Sequence, residues 1–404
     1  MRTIGLLENT IQEYEWGSYT AIANLFGKKA PSDVPQAELW MGAHPKASSK
    51  VVCDGQLISL HELILKQPEV ILGERIAGCY NNQLPFLFKV LAASRPLSIQ
   101  AHPNLTQAKE GFNRENDQNI SKNAPNRNYK DNNHKPECIC ALTPFWALNG
   151  FRKIEDITTY IQKICPNRLG KKINTLKKQD TDGLKHFFEY LMTLDQKEKN
   201  QVIDEAVNNA QKYVKMGPVF EWILTLSKEY PNDIGLLSPA MLNLICLEPG
   251  EALFIFSGEL HGYLSGMGIE LMANSDNVLR GGLTPKHVDV PELLKVVNFK
   301  QRDIKILQCE KKYSNECIYP SKAKEFVLSV ISLDSKENYK SPTKRSAEIL
   351  LCTDGQAIIT EGENDENISL IKGKSVFVPA SVKTYSMKGK AVIYKASVNS
   401  VYGL

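Results

Sequence analysis

The sequence predicts a mainly β protein interrupted by an all-α segment, and three textures carry that expectation. Residues 1–150 and 240–315 alternate short apolar runs with turn residues. Residues 151–239 place apolar side chains at three- and four-residue steps, the period of a helix face. Residues 316–404 return to short, closely spaced β runs, which suggests a sandwich or jelly roll. At 404 residues the chain exceeds what one hydrophobic core sustains, so a first domain built from 1–150 and 240–315, an inserted helical domain and a C-terminal β domain are expected.

The elements follow in order. "KASSKVVCDGQLISLHELI" reads as strand, Asp54-Gly55 turn, strand and helix start. "LPFLFKVLAASRPLSIQAHP" reads as two apolar strands joined by a polar turn, and residues 113–133 as an Asn-rich loop, either disordered or functional. "IEDITTYIQKI", "LKHFFEYLMTL", "KEKNQVIDEAVNNAQKYV" and "GPVFEWILTLSKEY" are the helices of the insertion. "LEPGEALFIFSGELHGYLSGMGIELMA" reads as strand, Gly-rich turn, strand. A faint internal echo links Gly250 of "GEALFIF" with Gly373 of "GKSVFVP". The first copy leads into Glu259 and His261, whereas the second leads into no His, so two copies of one barrel are expected, one of them with metal-type ligands.

Composition removes several functions. Forty-nine Lys and Arg against 45 Asp and Glu leave a net charge of +4, too balanced for a nucleic-acid or anionic-membrane partner. Nine scattered Cys form no disulfide framework, and Cys138 and Cys140 read as buried strand thiols. The start "MRTIGLLENTIQEYEWG" has no signal-peptide core, and no apolar run approaches the ~20 residues of a membrane span. A cytoplasmic protein acting on a small molecule, as a monomer, is the expectation.

One constellation carries chemistry. On a strand, Gln100 and His102 of "PLSIQAHPN" share a face, because side chains repeat every two residues. Glu137 opens the apolar run "ECICAL", and His261 stands at a strand end beside Gly262. Two imidazoles, a carboxylate and an amide oxygen suit zinc or a similar divalent ion with one position open to water. The alternative is a set of ordinary polar strand ends.

The motifs "YEWGS", "AELWMGAHPKASS", "SIQAHPN", "DNNHKPE", "WALNGFR", "GELHGY" and "MANSDNVLRGGLTPKHVDVPELL", in this order from residue 14 to about 298, resemble the type I mannose-6-phosphate isomerase family. The resemblance implies cupin-type jelly rolls with an inserted all-α domain, the C-terminal copy lacking metal. It implies one zinc per chain, held by Gln100, His102, Glu137 and His261. It also implies an aldose–ketose isomerisation of a sugar phosphate through an enediol. Glu270, flanked by the apolar Ile269 and Leu271, is the base that the resemblance selects, with Arg280 and Lys286 handling charge on oxygen. Ser98, Lys89 and Arg152 are the expected phosphate donors; Lys89 stands alone in an apolar strand, which requires an anion beside it. Lys135, Trp16 and Tyr263 are further expected substrate contacts. Two rival classes remain at this level. One is a metal-containing cupin that binds sugar without chemistry. The other is an Fe(II) oxygenase with a two-His, one-carboxylate site.

Overall fold

The computed structural model describes residues 1–399 except 54–55, 174–175, 177–180, 314, 336 and 363–366. The expected Asp54-Gly55 turn lies outside the described residues, although the strands on either side, Lys50–Cys53 and Gln56–Ser59, pair antiparallel. Two large antiparallel sheets and a helical block make up the molecule.

The first sheet is organised around one long strand, His261–Ala273. Its C-terminal part lies between Phe86–Ala93 and Glu137–Ala141, and its N-terminal part meets Ile99–Ala101 and Phe145–Phe151. Strand Glu38–Met41 extends the sheet beyond Phe86–Ala93. The Gly-rich turn expected after "LEPGEALFIF" falls at Ser257-Gly258, and the later "SGMG" lies inside the long strand. There Gly266 takes φ 119° and the pairing register shifts between Tyr263 and Ser265. A Cβ on Gly266 would stand 2.6 Å from the Pro144 carbonyl oxygen, so glycine serves a bend between partners rather than a reversal of the chain.

Alternation sorts this sheet into two faces. Leu39, Phe88, Val90, Cys138, Cys140, Ile269 and Leu271 point into a core shared with Phe326, Leu328, Ile349, Phe377 and Ala396 of the C-terminal sheet. Trp40, Lys89, Glu137 and Glu270 occupy the opposite face, and all four are buried. The second sheet joins the C-terminal strands to the chain's beginning: Gly5–Glu8 pairs with both Ser375–Val378 and Lys50–Cys53. The first strand therefore hydrogen-bonds to the C-terminal β region.

Helices Ile154–Ile164, Thr181–Met192, Gln196–Tyr213 and Pro218–Glu229 form the insertion, around a core of Ile157, Ile161, Leu184, Phe187, Ile203, Phe220 and Ile223. The Asn-rich segment is ordered. Asn104 and Gln107 form a reciprocal cap on helix Leu105–Asp117. Arg127, buried, donates to the carbonyls of Ile120 and Tyr129 and pairs with Glu115, which closes the loop on the helix. Among the described residues no helix is long and apolar enough to cross a membrane.

Candidate active site

A cleft with a cavity volume of about 550 Å³ opens above the first sheet, and its walls include Trp16, Glu38, Ser98, Gln100, Arg280 and Lys286. Beneath it, His102, Glu137 and His261 come together: their ligand atoms lie within 4.8 Å of one another. His102 Nε2 stands 3.2 Å from Glu137 Oε1, and His261 Nε2 stands 3.4 Å from Glu137 Oε2. The sheet builds this trio directly. His261 pairs with Gln100, which also pairs with Arg280, while Glu137 pairs with Met272 near the far end of the His261 strand.

The imidazoles are oriented from behind. His102 Nδ1 lies 2.8 Å from the Asn277 carbonyl, and His261 Nδ1 lies 2.9 Å from the Glu259 carbonyl. A carbonyl accepts only, so each Nδ1 carries a proton, and Nε2 is the nitrogen that each ring turns toward Glu137. His102 Nε2 is buried and, despite its short approach to Glu137, makes no hydrogen bond. Burial, followed by the Lys135 ammonium, draws the His102 pKa down to about 4, which keeps it a neutral donor. Burial pushes the Glu137 carboxyl up, but the Lys135 ammonium, whose Nζ lies 2.9 Å from Glu137 Oε1, leads the opposing causes, and the carboxyl is held well below the usual range. Two imidazole Nε2 atoms, that of His102 buried without a hydrogen bond, and a carboxylate fit a divalent cation, with the Gln100 strand alongside.

Beside this trio lies a second buried device. Glu270 Oε2 accepts from Lys89 Nζ at 3.0 Å, and Lys89 also faces Glu38 at 3.6 Å. Trp40 Nε1 donates to Glu38, and its ring lies 5.2 Å from the Lys89 ammonium. Burial pushes the Glu270 carboxyl up, Lys89 opposes it, and Glu137 and Glu38 add to the rise; the net result is a carboxyl above its ordinary value. Tyr263, buried, donates to Glu137 at 3.4 Å, and burial keeps its phenol protonated well above the usual range.

The structure distributes the expected site residues unevenly. Trp16, Ser98, Gln100, Arg280 and Lys286 line the cleft, whereas Glu137, His102, His261, Lys135, Tyr263, Glu270 and Lys89 are buried and reach its wall through Glu38, which faces Lys89, and Gln100, which pairs with His261. The anion that Lys89 requires is supplied by Glu270 and Glu38 instead of a ligand. Arg152 lies elsewhere: its Nε donates to the Pro239 carbonyl and its guanidinium sits 5.1 Å from the Tyr160 ring, at the root of the insertion. Arg280 differs from both. It is half-buried, burial lowers its pKa, and its guanidinium makes no hydrogen bond or ion pair among the described residues. Sequence reasoning missed Glu38, although "AELWM" puts it on the Trp40 face. It also missed Asn277, fully buried, whose amide binds the backbone of Lys130, Asp131 and Asn133 while its carbonyl orients His102.

The Lys89 pairing has a direct consequence for stability. Lys89→Met leaves two carboxylates buried without their cation, and unfolding in denaturant is expected to show a loss of about 3–5 kcal/mol. A loss below about 1 kcal/mol, the scale of an exposed pair, would contradict the burial described here.

A histidine–carboxylate trio with an orphaned nitrogen, set beside a buried carboxyl–ammonium pair under an open cleft, defines a candidate metalloenzyme site on a mainly β scaffold. The chain belongs to the type I phosphomannose isomerase family. That family's catalytic domain matches residues 4–154, its helical insertion domain residues 160–242, and the mannose-6-phosphate isomerase cupin domain residues 315–397. Mannose-6-phosphate isomerase from Escherichia coli (strain K12) is 40% identical over 385 residues, 95% of this chain and 96% of that one. The Homo sapiens enzyme of the same name is 34% identical over 405 residues, 93% of each chain. A crystal structure of a mutant phosphomannose isomerase from Salmonella typhimurium superposes with a TM-score of 0.90 at 37% identity, covering 98% of this chain and 100% of the other. A zinc-bound mannose 6-phosphate isomerase superposes with a TM-score of 0.89 at 37% identity, with the same coverage.

Proposed function

We propose that this chain is a zinc-dependent aldose–ketose isomerase that interconverts mannose 6-phosphate and fructose 6-phosphate. One observation carries the reading beyond family membership. Glu270, a carboxyl of raised pKa, is fixed by Lys89, which also faces Glu38 of the cleft wall, and it lies on the sheet that carries a trio of metal-donor side chains. An isomerase needs such a pair, whereas a sugar-binding module does not. The relatives named mannose-6-phosphate isomerase and the zinc-bound neighbour support the choice of substrate and metal.

The chain's own residues would divide the work as follows. Glu270 takes the proton from C2 of open-chain mannose 6-phosphate. The electrons form the C1–C2 double bond of an enediol as the C1 carbonyl oxygen gains a proton. The C2 hydroxyl then gives up its proton as the C2 carbonyl forms, and Glu270 returns its proton to C1. Arg280, without a protein anion, balances charge on the sugar oxygens, and Lys286 at the cleft wall adds a second cation. Ser98 and these cations face the phosphate, and Trp16 walls the sugar. His102, Glu137, His261 and Gln100 would hold zinc, which supplies Lewis acidity toward sugar oxygens when bound. The extra amide donor and the Glu270–Lys89 pair weigh against the Fe(II) oxygenase reading. The same reading takes the two sheets as two jelly rolls, with metal chemistry in the first alone.

A coupled assay with fructose 6-phosphate, run with and without chelator, tests this. Turnover that falls on chelation and returns with zinc is expected, and a zinc-loaded sample without turnover sinks the proposal. The pH profile follows from the shift on Glu270. A base must be deprotonated, so kcat/KM falls about tenfold per pH unit below its pKa. Because that pKa is raised, the acid limb is expected to begin above the ordinary glutamate range. A limb centred at or below pH 4.5, the ordinary value, would show that this carboxyl does not set it.

A further inference from the structure

The two sheets repeat one ladder. In the first, Ile255 pairs with Glu137, Glu137 with Met272, Glu270 with Lys89, and Leu91 with Glu38. In the second, Val378 pairs with Glu348, Glu348 with Ser397, Lys395 with Ser329, and Ile331 with Glu316. Element by element the correspondence holds: Glu348 takes the place of Glu137, Lys395 that of Glu270, Ser329 that of Lys89, and Glu316 that of Glu38. The Gly250/Gly373 echo has the same offset as the pairing of Ile255 with Val378, 123 residues.

The second ladder also keeps a charged floor. Glu316, Glu348 and Lys395 are each at least nine-tenths buried. Lys395 Nζ lies 2.6 Å from Glu316 and 3.8 Å from Glu348. Tyr339 and Ser329 donate to Glu316 at 2.9 and 2.8 Å, and Tyr385 donates to Glu348 at 3.0 Å. An apolar filling would hold such a fold together at least as well as a buried ion cluster. No imidazole stands among the residues that line the cavity above this floor. The Lys395 ammonium instead reaches both carboxylates, and Arg345 adds a second cation 3.5 Å from Glu348.

Above the floor lies a cavity of about 430 Å³, within the range of roughly 300–1,000 Å³ that small-molecule sites occupy. Its lining carries four cations, Lys312, Lys344, Arg345 and Lys395, against two anions, Glu316 and Glu348, so two positive charges remain. Lys312 and Lys344 are exposed at its rim and form no ion pair among the described residues. From the repeated ladder, the charged floor and the cationic rim, we propose that the C-terminal sheet holds a second, non-catalytic site for a small organic phosphate ester. Lys312 and Lys344 take the phosphate, and the hydroxyls of Thr343 and Ser397, both lining the cavity, lie within the same bay for the rest of the molecule.

Titration calorimetry on the full, zinc-loaded chain tests this with glucitol 6-phosphate, which has no carbonyl to isomerise. Two equivalents per chain are expected, the second weakened at least tenfold in K312A/K344A with turnover and thermal midpoint unchanged. Inorganic phosphate is expected to compete for it, and uncharged glucitol to leave it empty. The proposal is overturned by a single equivalent, by a second equivalent indifferent to K312A/K344A, or by uncharged glucitol binding as tightly as the phosphate. Turnover is measured separately, so failure here and failure of the isomerase reading are distinguishable.

Discussion

Glu270→Gln is expected to retain the fold and lose turnover by a factor on the order of 10²–10⁴, the usual contribution of a positioned base. The amide keeps the carboxylate's shape on a strand whose neighbours, Ile269 and Leu271, are fully buried, so packing has no reason to change. The ability to hold a proton is lost. Lys89 keeps Glu38 as a partner at 3.6 Å, which limits the structural cost. The fall is expected in kcat with little change in KM, because the carboxylate acts on the reacting carbons and the phosphate is held elsewhere. Glu270→Asp keeps the proton carrier and withdraws it by one methylene, so partial activity is expected. Full rate in Glu270→Gln, measured in the coupled assay, would remove Glu270 from the role of base.

The second large effect is expected at the trio. His102→Ala removes a donor whose Nε2 is buried without a hydrogen bond and whose ring is locked from behind by the Asn277 carbonyl. It also leaves Glu137 with one imidazole instead of two. Metal content, measured on the purified protein, is expected to fall from near one ion per chain toward none. Turnover is expected to fall further than in Glu270→Gln, since both activation of the sugar oxygens and the arrangement of the buried trio are lost. Excess zinc in the assay is expected to restore part of it. Native metal content in His102→Ala would show that the trio is an ordinary buried hydrogen-bonding cluster.

Much of this architecture was legible in the chain because two periods dominate it. The step of two that governs a strand puts Glu270 on the face opposite its neighbours Ile269 and Leu271, beside Lys89. The helical period of the insertion and the return to strands after residue 316 were equally plain. Other features escaped for physical reasons. Lys89 looked like a cation awaiting a ligand because its partners, Glu38 and Glu270, lie 51 and 181 residues away and meet it only through strand pairing. Arg152 follows a motif of the family yet turns toward the Pro239 carbonyl, a direction fixed by how the insertion packs on its own root. The "SGMG" run looked like a chain reversal because glycine serves bends and turns alike; the long strand on both sides is what decides between them. The repeat leaves little residue identity beyond the Gly250/Gly373 echo, and it is the register of the two ladders that sets Glu348 opposite Glu137.

The central claim is that the buried Glu270 carboxyl carries a proton between C1 and C2. Isomerisation of fructose 6-phosphate in deuterium oxide, followed by NMR, tests it most directly. Deuterium is expected at C2 of the mannose 6-phosphate formed and at C1 of the recovered fructose 6-phosphate, with incorporation slowed in Glu270→Gln as much as turnover. No deuterium at either carbon after the pool has turned over many times would mean that hydrogen passes directly between the carbons, and would contradict it.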